Sequence, residues 1–566
     1  MQNHTPITLP RIAAFAVTAL SAAALAFFDY LRLFNGGRIQ RVLTQHQVLD
    51  GMVVSALALV GGLYLALRPQ TLRTTPIRRR RFDWRWMIPL AGLILLAAFL
   101  RMYKLDYQSL WRDEIASVAR IEAGSLPAAL MLGNWQDAWP SYHIPLYLFI
   151  RLAGDSEFAY RFPSALAGIL LIPALFVTGR RMLSTRAGLL AAGLAVAIRT
   201  PVAYSQETRS YAFLMLFATL SAYFWYRLAE DLVWRRKASR LALVGYTASA
   251  ILTVYAHYLG LVLVGVEGLG ALLLVIHLRR LPLSLAASYA AIGLSYAPWL
   301  PLMVSDLGKQ NFWAGRPNWS GAWFVRFLIF FYQRPLVYVA VALGAVGLAL
   351  VMWRLLRRRG AGRSLPLAVT PAFVLVAWLI VPYGITYWRS VTATPILVDR
   401  YLLISLPAAY LLLAWAVFRL PIGRLAQGLL GAGLVGFVIL HLAASPYYVA
   451  PSKTQLRQAV QYIAGHESQT PDEVIIAGYQ GGQHELDYYF RKFGSTSTID
   501  IKAANAWQID DVRAQLKQRK PHFVWFIGQR LFYEPQFEEF LAHDYQQIGE
   551  QKFFDVTVFL YESRGG

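Results

Sequence analysis

The sequence predicts an α-helical polytopic membrane protein of about thirteen transmembrane helices, followed by a C-terminal α/β domain of about 120 residues outside the bilayer. Three observations predict it. Of 566 residues, 57% are hydrophobic and only 15% charged. Apolar runs of about 17 to 23 residues, the length that crosses a bilayer, recur from residue 12 to residue 443. After residue 443 these runs give way to short helix-period and strand-period segments. The absence of cysteine excludes disulfides and thiolate chemistry.

The spans are expected at 12–34, 49–67, 87–103, 160–179, 187–203, 210–228, 241–256, 258–277, 284–303, 335–356, 366–387, 400–419 and 425–443. The first has the basic flank of a signal peptide but exceeds an h-region in length, so it is read as a helix. It forms a hairpin with 49–67 ahead of the Arg-rich stretch Arg78 to Arg81.

The net charge of +23 raises the question of nucleic acid. From residue 445 onward, however, about 12 basic residues face about 15 acidic ones, so the excess belongs to the membrane part. There it clusters in alternate connections: Arg180 and Arg181, Arg235 to Lys237, Arg279 and Arg280, Arg357 to Arg359, Arg419 and Arg424. That is the positive-inside pattern of cytoplasmic loops, and it leaves no need for a polyanion partner. It places the N-terminus in the cytoplasm and the C-terminal domain on the outer side.

On this topology the scarce acids of the membrane part, Asp106, Asp113, Glu114, Glu122, Asp137, Asp155, Glu157, Glu207, Asp306 and Asp399 among them, lie at or near the outer face. Outer loops are free to carry acids, which explains most of them singly. Asp113 and Glu114, in Leu110-Trp111-Arg112-Asp113-Glu114, stand out because they directly follow a span. They open the outer loop 104–159, whose segment Trp139 to Phe149 holds His143 between Pro140 and Pro145 and reads as an interfacial helix. Tyr204 to Tyr211 brings Glu207 and Arg209 to an outer turn. Tyr255-Ala256-His257-Tyr258 and Asp399-Arg400-Tyr401 occupy two more. Arg209 and Arg400 run against the positive-inside bias, which suggests an anionic partner.

Carboxylates that can take a proton from a hydroxyl, beside guanidiniums that can hold a phosphate, suit a polyprenyl phosphate sugar. An acceptor hydroxyl attacks its anomeric carbon while the leaving phosphate gathers charge. The lipid tail explains a catalyst built from membrane helices. Glu267 lies mid-span and is expected to be protonated or bonded to a neighbouring helix, with a coupling-ion role as the alternative. Phe312, Trp313, Trp319 and Trp323 read as an interfacial aromatic belt, or as rings that stack on sugars.

The ordered elements Asp113-Glu114, H-I-P-L-Y-L, R-F-P-S-A-L-A-G, G-R-R-M-L-S-T-R-A-G-L-L-A-A, Y-S-Q-E-T-R-S-Y and R-Y-L-L-I-S-L-P resemble the bacterial relatives of protein O-mannosyltransferases and aminoarabinose transferases. These are membrane glycosyltransferases of the C type, and the resemblance covers approximately residues 87 to 443. It implies a GT-C-like domain over 1–443, a periplasmic domain over 444–566, and location in the bacterial inner membrane. It also implies a polyprenyl phosphate sugar donor, an envelope glycan, lipid or protein acceptor, and an expected inversion at the sugar.

Carried over by residue, the resemblance makes Asp113 the catalytic base and Glu114 the neighbour that orients the loop or a sugar hydroxyl. His143 matches a His-Pro-Pro-Leu element in which Ile144 replaces the first proline, so a part in shaping the loop is expected. Glu207 and Arg209 match a Ser-x-Glu-x-Arg element that lines the site or holds its turn by an ion pair. Arg400 is the candidate for the donor phosphate, with interfacial anchoring as the alternative, and His257 and Tyr401 are further candidate contacts. No spacing selects a metal, and a divalent cation stays open. Two other classes stay open as well: a lipid-linked sugar flippase, which would show inverted repeats, and an oligosaccharide polymerase or ligase.

In the tail, helices are expected over 452–466, 483–493 and 508–519, and strands at Glu473–Ala477, His522–Ile527 and Phe553–Tyr561. Gly478 to Gly482, between a strand and a helix, is read as a tight turn rather than a dinucleotide fingerprint.

Overall fold

The computed structural model describes residues 84–131, 139–308, 371–466, 473–478, 483–493, 501–502, 509–529 and 536–564. The expected spans 12–34, 49–67 and 335–356, Asp137 and the aromatic loop around Trp313 lie outside them. In chain order the helices begin with α1 (Met87–Met102), α2 (Arg112–Glu122), α3 (Leu126–Met131), α4 (Pro140–Ala153), α5 (Glu157–Met182), α6 (Thr185–Ala197) and α7 (Arg199–Ser205). They continue through α8 (Tyr211–Glu230), α9 (Arg240–Val254), α10 (Leu259–Leu278), α11 (Leu283–Tyr296), α12 (Leu300–Gly308), α13 (Pro371–Thr392), α14 (Leu406–Val417) and α15 (Arg424–Ala444). The chain divides into two compact units: one of 1–100, 166–205 and 210–440, the other of 101–165, 206–209 and 441–566.

In the first unit the hydropathy pattern becomes helices at nearly the expected positions. Seven helices among the described residues are long and apolar enough to cross a membrane, at 84–102, 157–182, 211–235, 259–278, 373–392, 399–417 and 424–444. The expected span 187–203 is instead two helices, α6 and α7, bent by 63° at Ile198. Pro201, in the first turn of α7, has no N–H with which to continue the ladder of α6. The span 284–303 is likewise broken into α11 and α12 at Ala297-Pro298-Trp299.

Packing within this unit runs α8 on α9, α9 on α11, α10 on α13, α13 on α14 and α14 on α6. Small residues let the backbones approach. A Cβ on Gly179 would lie 2.5 Å from Gly188 Cα, and one on Gly188 would meet the Phe176 carbonyl. The motif Gly179 to Gly188 is therefore a tight helical hairpin, capped where Ser184 Oγ accepts from Ala187 N at 3.1 Å. Leu95, Leu429 and Leu440 are exposed, as the bilayer-facing sides of spans require. Glu267 in α10 bonds a neighbouring helix, with Ser221 Oγ of α8 3.0 Å from both carboxylate oxygens.

The second unit contains α2, α3, α4, the start of α5, the turn 206–209 and the C-terminal α/β layer. That layer adds α16 (Leu456–His466), β1 (Glu473–Ala477), α17 (Gln483–Lys492), β2 (Ile501–Lys502), α18 (Ile509–Arg519), β3 (Phe523–Gln529), α19 (Gln536–Asp544), β4 (Tyr545–Phe553) and β5 (Val556–Ser563). The sheet order is β2-β1-β3-β5-β4, with β1 parallel to β2 and β3, and β5 antiparallel to β3 and β4. Val474, Ile476, Val524, Phe526, Phe537, Leu541 and Phe559 form its core. The expected helix from 452 starts only at Leu456, and the expected strand from Phe553 is half of a hairpin. Phe553 pairs with Val556 across a two-residue loop in which Asp555 has φ 62°. Strand β4 escapes sequence reading because polar exposed residues fall on both of its faces, Gln546, Gln547, Glu550 and Lys552 leaving no apolar alternation. Gly478 closes β1 against the Phe526 ring, where a side chain would clash; Tyr479 to Gly482 lie outside the described residues.

Candidate active site

The site is assembled on α2, whose first turn carries Asp113 and Glu114. Acids in a first turn complement the helix dipole, and Glu114, three residues past the cap, receives the Trp111 N–H at 3.4 Å. That bond is the weakest of five. Glu114 Oε1 also accepts from Arg161 Nε at 2.8 Å and from Thr208 N at 2.9 Å. Its Oε2 accepts from Arg161 Nη2 at 2.9 Å and Lys453 Nζ at 2.8 Å. Burial alone would raise the Glu114 pKa, but the charges and hydrogen bonds of Arg161 and Lys453 outweigh it and hold the carboxyl well below the usual range.

Arg161 is equally saturated. Besides Glu114 it donates to the carbonyls of Leu105 at 3.0 Å, Gln108 at 2.8 Å and Ser109 at 3.1 Å. One guanidinium thereby folds the chain between α1 and α2 and fixes the first turn of α2, which a lysine's three donors would not do. Beside it, Glu157 accepts from Arg457 Nη1 at 3.0 Å and from the Tyr489 hydroxyl at 3.1 Å. Tyr489 in turn accepts the Leu110 N–H at 2.6 Å. Arg457 also reaches the carbonyls of Asp106 and Tyr107.

Asp113 faces the other way. Its side chain is 23% exposed, with Oδ2 4.0 Å from Arg209 Nη2. Arg209 Nη1 donates to the Asp113 carbonyl at 3.1 Å, and Ser164 Oγ donates to the Arg209 carbonyl at 3.0 Å. Glu207 lies 3.4 Å from Lys453 Nζ. Burial raises its pKa; Lys453 opposes this, while Glu114 and Asp113 reinforce it. Glu485 of α17 is 4% exposed, and burial pushes its carboxyl up to about 7, with Arg112 pulling it down and Asp113 adding to the rise. Tyr142 is buried among these charges, and desolvation lifts its hydroxyl well above the ordinary value.

His143 is buried in α4, where its Nδ1 accepts the Trp139 N–H at 3.0 Å. An accepting Nδ1 places the proton on Nε2, and the contact caps the start of α4. The structure thus brings Asp113, Glu114, Glu207, Arg209 and His143 into one unit. His257, Arg400 and Tyr401 belong to the other. There the His257 ring lies 4.8 Å from Tyr401, and Leu259 N donates to His257 Nδ1 at 3.2 Å. Arg400 follows Asp399, whose Oδ1 accepts the Arg400 N–H at 2.9 Å. Among the described residues no group of three His, Asp or Glu side chains is placed to hold a metal ion.

Sequence reasoning left out Arg161, Lys453 and Arg457. Arg161 carried a signal, being the single cation in the apolar run from Phe158 to Thr178 and the first residue of the R-F-P-S element. Lys453 and Arg457 carried none, since nothing in a polar tail marks two of its cations as ligands of residues some three hundred positions earlier.

Solved structures share this architecture. ArnT from Cupriavidus metallidurans bound to undecaprenyl phosphate matches with 14% identity and a TM-score of 0.52, over 85% of this chain and 98% of that one. The archaeal oligosaccharyltransferase AglB from Archaeoglobus fulgidus, in complex with an inhibitory peptide and a dolichol-phosphate, matches with 10% identity and a TM-score of 0.50, over 84% and 74%. The fold is therefore that of the C-type membrane glycosyltransferases. Residues 140–302 match the family model described as dolichyl-phosphate-mannose-protein mannosyltransferase, a stretch that holds His143, Arg161, Glu207, Arg209 and His257. The resemblance drawn from the ordered motifs holds in both comparisons. No curated protein sequence matches the chain.

Proposed function

We propose that the protein transfers a sugar from a polyprenyl phosphate to a hydroxyl of an envelope glycan, lipid or protein, at the outer face of the bacterial inner membrane. The observation that carries this reading is the unequal pair on α2. Glu114 is fully buried, with its lone pairs committed to Arg161, Lys453 and two backbone amides, whereas the Asp113 side chain is 23% exposed beside Arg209, which also holds its carbonyl. Asp113 takes the acceptor's proton, the acceptor oxygen bonds to the anomeric carbon, and the bond from that carbon to the phosphate oxygen breaks. The sugar is inverted and polyprenyl phosphate leaves with the electron pair. Arg209 beside Asp113 supplies positive charge near the departing group.

Asp113→Asn tests the reading. It keeps the shape of the side chain and removes the base, so membranes carrying it should bind polyprenyl phosphate sugar and lose transfer by about 10² to 10⁴. Mass spectrometry of the donor reads the result. Unchanged transfer, or donor moved across the bilayer with its sugar intact, rejects it.

A further inference from the structure

We propose that Lys453 and Glu207, flanked by the Trp111 ring, form the subsite that holds a hydroxyl of the donor's sugar, so that the C-terminal segment supplies a specificity-determining residue. The inference rests on the transferase reading above. An ammonium has three N–H donors. Among the described residues Lys453 directs one to Glu114 Oε2 at 2.8 Å and one to Glu207 Oε1 at 3.4 Å, leaving the third. On the adjoining group, Glu207 Oε2 is buried and has no hydrogen-bond partner among the described residues. A spare donor and a spare acceptor therefore stand side by side on two groups already in contact.

A hydroxyl is the group that answers both, since it accepts from the ammonium while donating to the carboxylate. A phosphate oxygen would satisfy only Lys453 and would face Glu207, the carboxylate beside it whose buried Oε2 has no donor among the described residues. Coulomb repulsion at such distances in a buried site disfavours it. Lys453 Nζ lies over the Trp111 ring, 5.9 Å from its centre, so an aromatic side chain borders the pair, as aromatic rings commonly border sugar hydroxyl sites. Trp111 is two residues from Asp113, in the same turn as the proposed base. Lys453 and Glu207 are 14% and 13% exposed, less than Asp113 at 23%, so the pair lies deeper than the base that the acceptor must reach, which favours the sugar that is attacked.

The test compares binding of polyprenyl phosphate with binding of its mannose, glucose and arabinose forms, using the full-length protein in lipid nanodiscs. The wild-type chain should bind one glycosylated form at least about tenfold more tightly than polyprenyl phosphate. Lys453→Gln and Glu207→Gln should each erase that preference while leaving polyprenyl phosphate affinity within about twofold. Glu207→Gln keeps an acceptor for Lys453 but presents N–H where the hydroxyl needs an acceptor, and it leaves the Lys453–Glu114 bond in place should Lys453→Gln fail to fold. A wild type without preference, or a preference surviving both substitutions, overturns the subsite. Loss of polyprenyl phosphate affinity in Lys453→Gln assigns that lysine to the phosphate and also overturns it. A wild type that binds no polyprenyl phosphate defeats the transferase reading instead.

Discussion

Asp113 and Glu114 are neighbours in sequence and opposites in surroundings, and the difference is one of hydrogen-bond arithmetic. A carboxylate with five donors around it and no exposed surface has nothing left to offer a substrate, while breaking such a buried pair typically costs about 3–5 kcal/mol. Glu114 is thus held by the fold, and Asp113 is displayed by it. Glu485 shows the reverse balance, because burial there outweighs the pull of Arg112 and its pKa rises from 4.5 to about 7. The sign follows from linkage. A carboxyl whose folded pKa lies above its unfolded one contributes stability that is complete below the unfolded value and is lost as pH rises through the folded one. Melting temperature should therefore fall between about pH 5 and pH 8, by the equivalent of roughly 3 kcal/mol at most. Glu485→Gln should flatten that segment of the profile. A wild-type profile already flat there would show that Glu485 titrates normally.

At the scale of elements, what hydropathy encodes was legible and what packing decides was not. Spans such as 259–278 and 424–444 follow from length and apolarity, and β1 and β3 from their apolar runs. The bend at Ile198 and the polar strand β4 depend on a proline's missing donor and on a neighbouring strand, neither of which has a periodicity. The G-R-R-M-L-S-T-R-A-G element was legible only as part of a resemblance; the structure supplies its physical reason in the contact of Gly179 with Gly188. Gly188→Val would drive side-chain atoms into the Phe176 carbonyl and within 2.8 Å of Arg180 N, backbone atoms that cannot move aside singly. Overpacking of this kind costs about 1–3 kcal/mol or more. Gly433, with open space around its Cβ position, provides the control. Gly433→Ala should change stability by no more than about 1 kcal/mol. Thermal unfolding in detergent separates the two, and equal melting temperatures would refute a packing role for the hairpin glycines.

Across the whole molecule, the proposed site depends on segments far apart in the chain. Asp113, Glu114, Glu207 and Arg209 could be picked out because each sits in a short motif. Lys453, Arg457 and Tyr489 could not, because their role exists only once the tail has folded onto residues 104–114. Around that stretch, Gln108 Oε1 accepts from Ser452 N at 3.0 Å, Ser109 Oγ donates to Gln458 Oε1 at 2.9 Å, and Arg457 joins Asp106, Tyr107 and Glu157. The tail thereby acts as a clamp on the segment that presents Asp113. Arg457→Ala removes three of these bonds at once and leaves Glu157, 4% exposed, with Tyr489 and an Arg161 nitrogen at 4.0 Å. Because Arg457 is itself 21% exposed, water offsets part of the loss, and roughly 2–4 kcal/mol of local stability should go. Such a loss would raise the open population of 104–122 by about thirtyfold or more, while the spans of the other unit stay closed. Amide hydrogen exchange on the full-length protein should show faster exchange confined to that stretch and to the start of α16, with transfer reduced in proportion. Unchanged protection of residues 104–122 would mean that the first loop holds Asp113 in place without the tail.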